Sequence, residues 1–219
     1  MPTTAPTDRT TLRRLPDRGD HDPTAIAAIL DEALICHLGL VDPDGRPFVI
    51  PTIHARAGDT LYVHGSPASR ALRAAAGDGV ECCVAVTIVD GLVLARSAFH
   101  HSMNYRSVVV YGRATRVEDL DEKRVALDAI VEHVLAGRGA DSRPPNDKEL
   151  RSTLVLRLPL DEASAKVRSG GPIDDDEDMG LAVWAGHVPL RTVAGVPVAA
   201  PDMVAGVAWP GYDLTRGPG

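Results

Sequence analysis

The chain has 219 residues, 44% of them hydrophobic and 4% aromatic, with a formal charge of −7 at pH 7. That length supports one domain with appendages or two small ones, and the apolar content excludes both disorder throughout and dependence on a disulfide scaffold. The acidic balance excludes nucleic acid or an anionic membrane as the main partner, while leaving room for a few local cations to hold one phosphate.

Residues 1–20 are polar and rich in Thr, Pro and Arg, so they read as a flexible arm with little structure of its own. The arm has no apolar stretch of the kind a signal peptide needs, and no run in the chain approaches the ~18 apolar residues of a membrane helix. Asp22-Pro23 opens a helix with an N-cap acid and a first-turn proline, and Ile26, Ile29, Leu30 and Leu34 supply its apolar face. Residues 34–41 read as a strand, Asp42-Pro43-Asp44-Gly45 as a turn, and residues 48–53 as the return strand. A turn at Gly58-Asp59 and a strand at 61–64 complete a meander. Ser66-Pro67 then begins a short helix over 68–76 that ends at Gly77.

Residues 80–89 are dense in β-branched side chains and read as a strand, with a turn at Asp90-Gly91 and a continuation over 92–94. Cys82 and Cys83 are adjacent on this strand and so face opposite sides. With Cys36 they make no disulfide framework, and the setting expected is a reducing cytoplasm. Residues 107–117 form a further strand, and residues 119–136 a helix with apolar Val125, Leu127, Ile130, Val131 and Val134. Residues 143–147 are a loop, 154–158 a last strand, and everything from Val193 onward an irregular tail. Clustered strands without βαβ alternation predict a mainly β, antiparallel barrel with peripheral helices. The division expected is an arm over 1–20, one domain over 21–190 and a tail over 191–219.

Nucleophile, nucleotide and metal signatures are absent: no Walker loop, G-x-G-x-x-G, H-E-x-x-H, C-x-x-C or G-x-S-x-G occurs. No metal site is expected. Three places carry chemistry. In His64-Gly65-Ser66-Pro67-Ala68-Ser69-Arg70 a strand runs into a helix start with two hydroxyls and a guanidinium, a setting for a phosphate or simply for an ordinary capped helix. Residues 99–108 gather two His, two Ser, an Asn, a Tyr and an Arg, and Arg106 with Ser107 suits phosphate oxygens. The third place runs from Lys166 and Arg168 through Asp174-Asp175-Asp176-Glu177-Asp178 to Trp184, and its acids read as a solvated loop. Cys36 reads as buried, His54 and His133 as surface or satisfied core groups, and Pro51 as an edge, a bulge or a backbone turning toward a ligand.

The ordered motifs resemble a family. They are Asp44-Gly45-Arg46-Pro47, Val49-Ile50-Pro51-Thr52, Leu61-Tyr62-Val63-His64-Gly65-Ser66, Ser69-Arg70, His101-Ser102-Met103-Asn104-Tyr105-Arg106-Ser107, Tyr111-Gly112-Arg113-Ala114, Ala165-Lys166-Val167-Arg168 and Trp184-Ala185-Gly186 with Pro189-Leu190. Together they are similar to the pyridoxamine 5′-phosphate oxidase-related flavoproteins, in particular the NimA-like nitroimidazole-resistance branch. The resemblance implies an FMN-binding split β-barrel working as a homodimer, with flavins at the subunit interface and a small molecule as substrate.

It also implies roles. Val49, Ile50, Pro51 and Thr52 would lie along the isoalloxazine ring. His64, Gly65, Ser66, Ser69 and Arg70 would hold the ribityl phosphate. Tyr105, Arg106, Ser107 and Val108 would complete the phosphate and ring contacts, with Lys166 as a further cation and Trp184 approaching from the other subunit. His64 is the candidate proton donor. Many relatives carry Gly-Arg-Lys where this chain has Ser69-Arg70-Ala71, which removes one cation from the phosphate site. Related barrels take haem, F420 or FAD, and His64, His100, His101 and His187 are the available haem ligands. The activity expected is that of an FMN-dependent oxidoreductase; the alternative is a non-catalytic flavin or haem binding and storage protein. Oxidation of pyridoxamine phosphate itself is not expected, since no residues for that substrate's phosphate are found.

Overall fold

Asp22 and Pro23 start the first helix as the sequence predicts. The Asp22 carboxylate accepts hydrogen bonds from the Thr24 and Ala25 N–H groups at 3.3 Å, which satisfies two donors of the first turn. In the computed structural model, which describes residues 6–42, 44–69, 72–73, 75 and 77–215, this helix is α1, Pro23–Glu32. It buries Ile26, Ile29 and Leu30 but not Leu34, which lies beyond its end.

The meander follows. β2, Cys36–Val41, alternates cleanly, with Cys36, Leu38 and Leu40 inside. β3, Pro47–Thr52, returns antiparallel beside it, and the Asp42 carboxylate braces the hairpin by accepting from the Asp44 and Arg46 N–H groups. The chain then forms β4, His54–Ala57, a strand not predicted, before Gly58 turns with φ of +59° into β5, Thr60–Gly65. β4 is only four residues long and has no alternating pattern, since His54 and Ala55 are both buried. The helix expected at 68–76 falls partly outside the described residues; Leu72 and Ala75 are buried.

The turn expected at Asp90-Gly91 does not occur. β6 runs unbroken from Val80 to Leu94, paired along its length with β7, Ser102–Arg116, and only its register slips between Val89 and Gly91. Glycine is required here for a different reason. A Cβ at Gly91 would lie 2.9 Å from the Val188 carbonyl oxygen of β10, Gly186–Pro189, which pairs alongside it with Pro189 opposite Gly91. Backbone cannot step aside cheaply, so Gly91→Ala is expected to cost about 1–3 kcal/mol and to detach β10. Urea unfolding together with hydrogen exchange at residues 186–189 checks this, and unchanged protection there would refute it.

α2, Leu120–Val134, is capped by Asp119 and buries Ile130 as predicted, with Leu127 partly buried, but Lys123 and Ala126 complete the buried stripe while Val125 and Val134 are exposed. The Lys123 ammonium reaches the Leu150 carbonyl, so a charged side chain occupies a position that apolar patterning assigns to its neighbours. α3, Asp147–Ser152, also goes unpredicted, although Asn146 and Glu149 form a reciprocal capping box. β8, Leu154–Pro159, and β9, Ala163–Arg168, complete the sheet.

Pairing is antiparallel throughout, in the order β3-β2-β6-β7-β8-β5-β4, with β9 also joined to β7 and β10 to β6. The sheet curls into a half-barrel with few helices, which is the split-barrel fold. Its interior is filled from every strand of the path between β2 and β5, with Leu38, Leu61, Val84, Val86, Val108, Val110 and Leu156 all buried. Cys36 and Cys82 belong to this core, and burial pushes their thiols up to about 12 and about 11.

The arm is not independent of the sheet. β1, Gly19–Asp20, pairs with β9, Thr10 is buried, and the Thr7 hydroxyl and Arg9 guanidinium both donate to Glu162. From Arg191 to Thr215 the chain has no helix or strand, but Tyr212 ties it down: its hydroxyl donates to Asp141 and accepts from Arg138. Among the described residues no helix is long and apolar enough to cross a membrane.

Candidate functional site

Strand register shows which expected residues share a face. Directly paired residues in antiparallel strands point to the same side of a sheet. Because Val108 and Val110 point into the core, Ser107 and Val109 point outward. Ser107 pairs with Thr87 and Lys166, and Tyr105 with Val89 and Arg168. Pro51 pairs with His37, which pairs in turn with Ala85 and, one strand further, Val109. The outer face of β3, β2, β6, β7 and β9 therefore brings Pro51, Tyr105, Ser107 and Lys166 onto one surface, with Val49 on the same side of β3. Val49 is 62% exposed. The Ser107 hydroxyl donates to the Lys166 carbonyl at 3.3 Å, while the Lys166 ammonium has no partner among the described residues.

Four expected residues do not join this surface. Val108 is fully buried and its backbone is paired on both sides, to Val86 and to Ala165, so nothing on the sheet face can touch it. Ile50 packs against the main core, and Thr52 shares its side of β3. Arg106 is already occupied. Its guanidinium makes bidentate contacts with both Asp90, at 3.0 and 2.8 Å, and Glu32, tying the end of α1 to β6 through one cation on β7. A phosphate would have to displace both carboxylates to reach the Arg106 guanidinium.

The second group lies at the end of β5. The Ser66 hydroxyl accepts from the Ala68 N–H at 3.1 Å, and the Ser69 N–H donates to the Ser66 carbonyl at 2.8 Å, which closes a tight turn. A Cβ at Gly65 would lie 2.7 Å from the Leu72 side chain. Arg70 lies outside the described residues. His64 is half-buried, its Nδ1 is buried without a partner, and burial lowers its pKa, so the imidazole is neutral at pH 7. β5 pairs with β4 and β8 and not directly with β9, so two strands, β8 and β7, lie between this group and Lys166 in the sheet.

The third region is held by clamps that the sequence did not reveal. Asp174, expected to be solvated with the other acids, has a side chain only 1% exposed and accepts from both the backbone and the guanidinium of Arg96 at 2.8 Å. Asp175 meets His100 at 3.0 Å. Arg168 is buried with only neutral acceptors, the Asn104 amide oxygen at 2.5 Å and the Gly171 carbonyl at 3.0 Å, and burial pushes its pKa down. Arg96, Asn104 and Arg168 thus fix the 169–175 segment against the ends of β6 and β7. Trp184 stands 65% exposed beyond it. The His101 Nδ1–H donates to the Ser97 carbonyl at 2.9 Å. No group of three or more metal-ligating side chains occurs among the described residues. A cleft of about 720 Å³ opens elsewhere, between Glu32, Arg56, His133, Val193 and Asp213, and none of the expected residues lines it.

Comparison with known proteins gives this geometry a context. Residues 22–167 match the family described as pyridoxamine 5′-phosphate oxidase. Among solved structures, the flavocytochrome Anf3 from Azotobacter vinelandii is 38% identical over 94% of this chain and 95% of its own, with a TM-score of 0.86. The FAD and heme binding protein from Mycobacterium smegmatis is 39% identical over 88% of this chain and 94% of its own, with a TM-score of 0.83. A candidate 5-nitroimidazole antibiotic resistance protein from Bacteroides thetaiotaomicron is 28% identical over 68% of this chain and 86% of its own, with a TM-score of 0.56. No curated protein matches.

Proposed function

The chain belongs to the pyridoxamine 5′-phosphate oxidase family, and from that premise we propose that it is a flavin- and haem-binding redox protein, an oxidoreductase acting on a small molecule. The observation that carries this reading is the 38–39% identity, over nearly the whole of each chain, to proteins described as a flavocytochrome and as binding FAD and haem. The resemblance in sequence implied FMN. The M. smegmatis relative favours FAD, which contains the same ring, ribityl chain and first phosphate, so the residues proposed for FMN serve FAD as well.

The chain offers what a flavin needs. Lys166 presents an ammonium without a carboxylate, and His64 has a buried ring nitrogen without a partner. Val49 and Pro51 give an apolar edge for the ring, Tyr105 and Ser107 face the same way, and Ser66 and Ser69 stand at the phosphate end. A bound flavin supplies the exchange of reducing equivalents; the protein binds, orients and shields it. Burial keeps His64 neutral, and its ring N–H is the proton it can donate. Two copies of the chain would complete each site, with Val49 and Trp184 covered in the dimer, and light scattering at a mass of one chain would refute that.

Absorption spectroscopy of the purified protein tests the reading. Flavin bands and a Soret band are expected, with FAD released on denaturation. A colourless protein that takes up neither cofactor on titration would overturn it. Lys166→Gln is expected to weaken flavin binding by roughly tenfold or more, because a charge-assisted hydrogen bond is worth about 1.5–3 kcal/mol. Unaltered affinity would remove Lys166 from the site. Anaerobic reduction by NAD(P)H, then reoxidation by a nitroaromatic, tests turnover; no reaction with any donor would leave a binding role alone.

A further inference from the structure

We propose that His101 is the axial ligand of the haem iron, an inference that rests on the haem half of the reading above. The absence of a chelating cluster among the described residues is no obstacle, because a porphyrin brings four nitrogens of its own and needs a single imidazole from the protein. What distinguishes the histidines is the state of each ring.

His54 is fully buried and its Nε2–H is spent on the Leu30 carbonyl. His133 engages the Ala33 carbonyl through Nε2, and His100 engages Asp175 through the same atom. His37 and His187 are exposed on β2 and β10 with no hydrogen bond to orient them. His101 alone among the described histidines has Nδ1 bonded to a backbone carbonyl while its Nε2 has no partner and the residue is exposed. A carbonyl can only accept, so the proton sits on Nδ1 and the Nε2 lone pair is directed outward. Imidazoles that bind metals are held in this way, because the second hydrogen bond fixes tautomer and ring orientation before the metal arrives.

The support behind that bond is rigid. Ser97 follows Arg96, whose backbone and guanidinium are both clamped by buried Asp174. The acidic segment thereby holds the carbonyl that holds His101. Beside it lies an apolar surface of the kind a porphyrin covers. Phe99 is 89% exposed, and Met103 pairs across the sheet with Leu92 and then Val188, leaving Met103 51% and Val188 41% exposed.

Hemin titration of the purified full-length protein, followed in the Soret region and by electron paramagnetic resonance, tests the assignment. Wild-type protein is expected to give the spectrum of nitrogen-ligated ferric haem. His101→Ala is expected to weaken hemin binding by roughly 10–100-fold and to shift the Soret band, a loss of the size seen when ligation geometry is destroyed. Added imidazole is expected to restore the wild-type spectrum in His101→Gly. His187→Ala is expected to leave it unchanged, and flavin content and thermal melting should be the same in every variant. A His101→Ala protein with wild-type affinity and spectrum would overturn the assignment while leaving haem binding intact. Wild-type protein that causes no Soret change with hemin would overturn the haem reading itself and this inference with it.

Discussion

Between pH 6.5 and pH 4 the fold is expected to lose on the order of 3 kcal/mol of stability through His54 alone. This imidazole is fully buried where β4 meets the end of α1, and its Nε2–H donates to the Leu30 carbonyl at 2.9 Å. Burial pushes its pKa down to about 4 from 6.5 against the opposing hydrogen bond to Leu30, and the nearby His133, whose ring centre is 4.7 Å away, adds to the lowering more than Asp31 takes from it. The unfolded chain therefore binds a proton at His54 throughout that window while the folded chain does not. Stability is complete above pH 6.5, falls as the pH drops toward 4, and falls no further on this account below it. Urea midpoints measured at unit steps from pH 7 to pH 4 read the effect directly. His54→Gln keeps an amide donor for Leu30 but cannot titrate, so its stability should change less over the same range. Equal slopes for the two proteins would show that another group controls the acid transition.

Arg106→Met is expected to destabilise the protein by about 3 kcal/mol, the lower end of the cost of breaking a buried ion pair. The guanidinium lies between Glu32 at the end of α1 and Asp90 beside the register slip in β6, with all three side chains a third exposed or less. Removing the cation leaves two carboxylates facing the same partly dry space without compensation. The Asp90 backbone carbonyl accepts the Leu190 N–H, so a shift of the Asp90 backbone would carry the end of β10 with it. The measurement is again urea unfolding, made on protein stripped of cofactor. The outcome that would restore the phosphate role expected from the sequence is an unchanged midpoint combined with a large loss of flavin affinity.

Much of the molecule was legible in the sequence because local signals agreed with the tertiary outcome. Asp22-Pro23 did start a helix, the β2–β3 hairpin turned at its Asp-Gly pair, and Cys82 and Cys83 do divide between core and outer face. The misses have physical causes. Asp90-Gly91 has turn chemistry, but its glycine serves the close passage of β10, a partner about 100 positions away that no local rule contains. The stripe of α2 was read only in part: Ile130 is buried as expected, but Lys123 sends its ammonium to a carbonyl on α3 while its stem fills the apolar face. In the candidate site, the motifs located the segments, and register now separates their members: Ser107, Tyr105 and Lys166 share a surface, whereas Val108 lies inside the core. Arg106 carried the right charge for a phosphate, yet its carboxylate partners come from residues 32 and 90, so composition around it gave no sign of them. Asp174 was hidden in a run of five acids of which only this one is turned fully inward.

The two prolines of β3 have a consequence for how the protein behaves in a crowded solution. β3 is one end of the strand order, with β4 at the other, and Pro47 and Pro51 share a parity with Val49. Residues of one parity direct their N–H groups to one side of a strand, and prolines persist on an edge when that side is the unpaired one. The open edge therefore offers a passing chain a single amide donor, at Val49, between two positions that can donate nothing. A stray strand finds no ladder to extend. Apolar contact with Val49 remains available while strand addition does not, so the surface that favours association between folded partners is also one that resists growth into fibres.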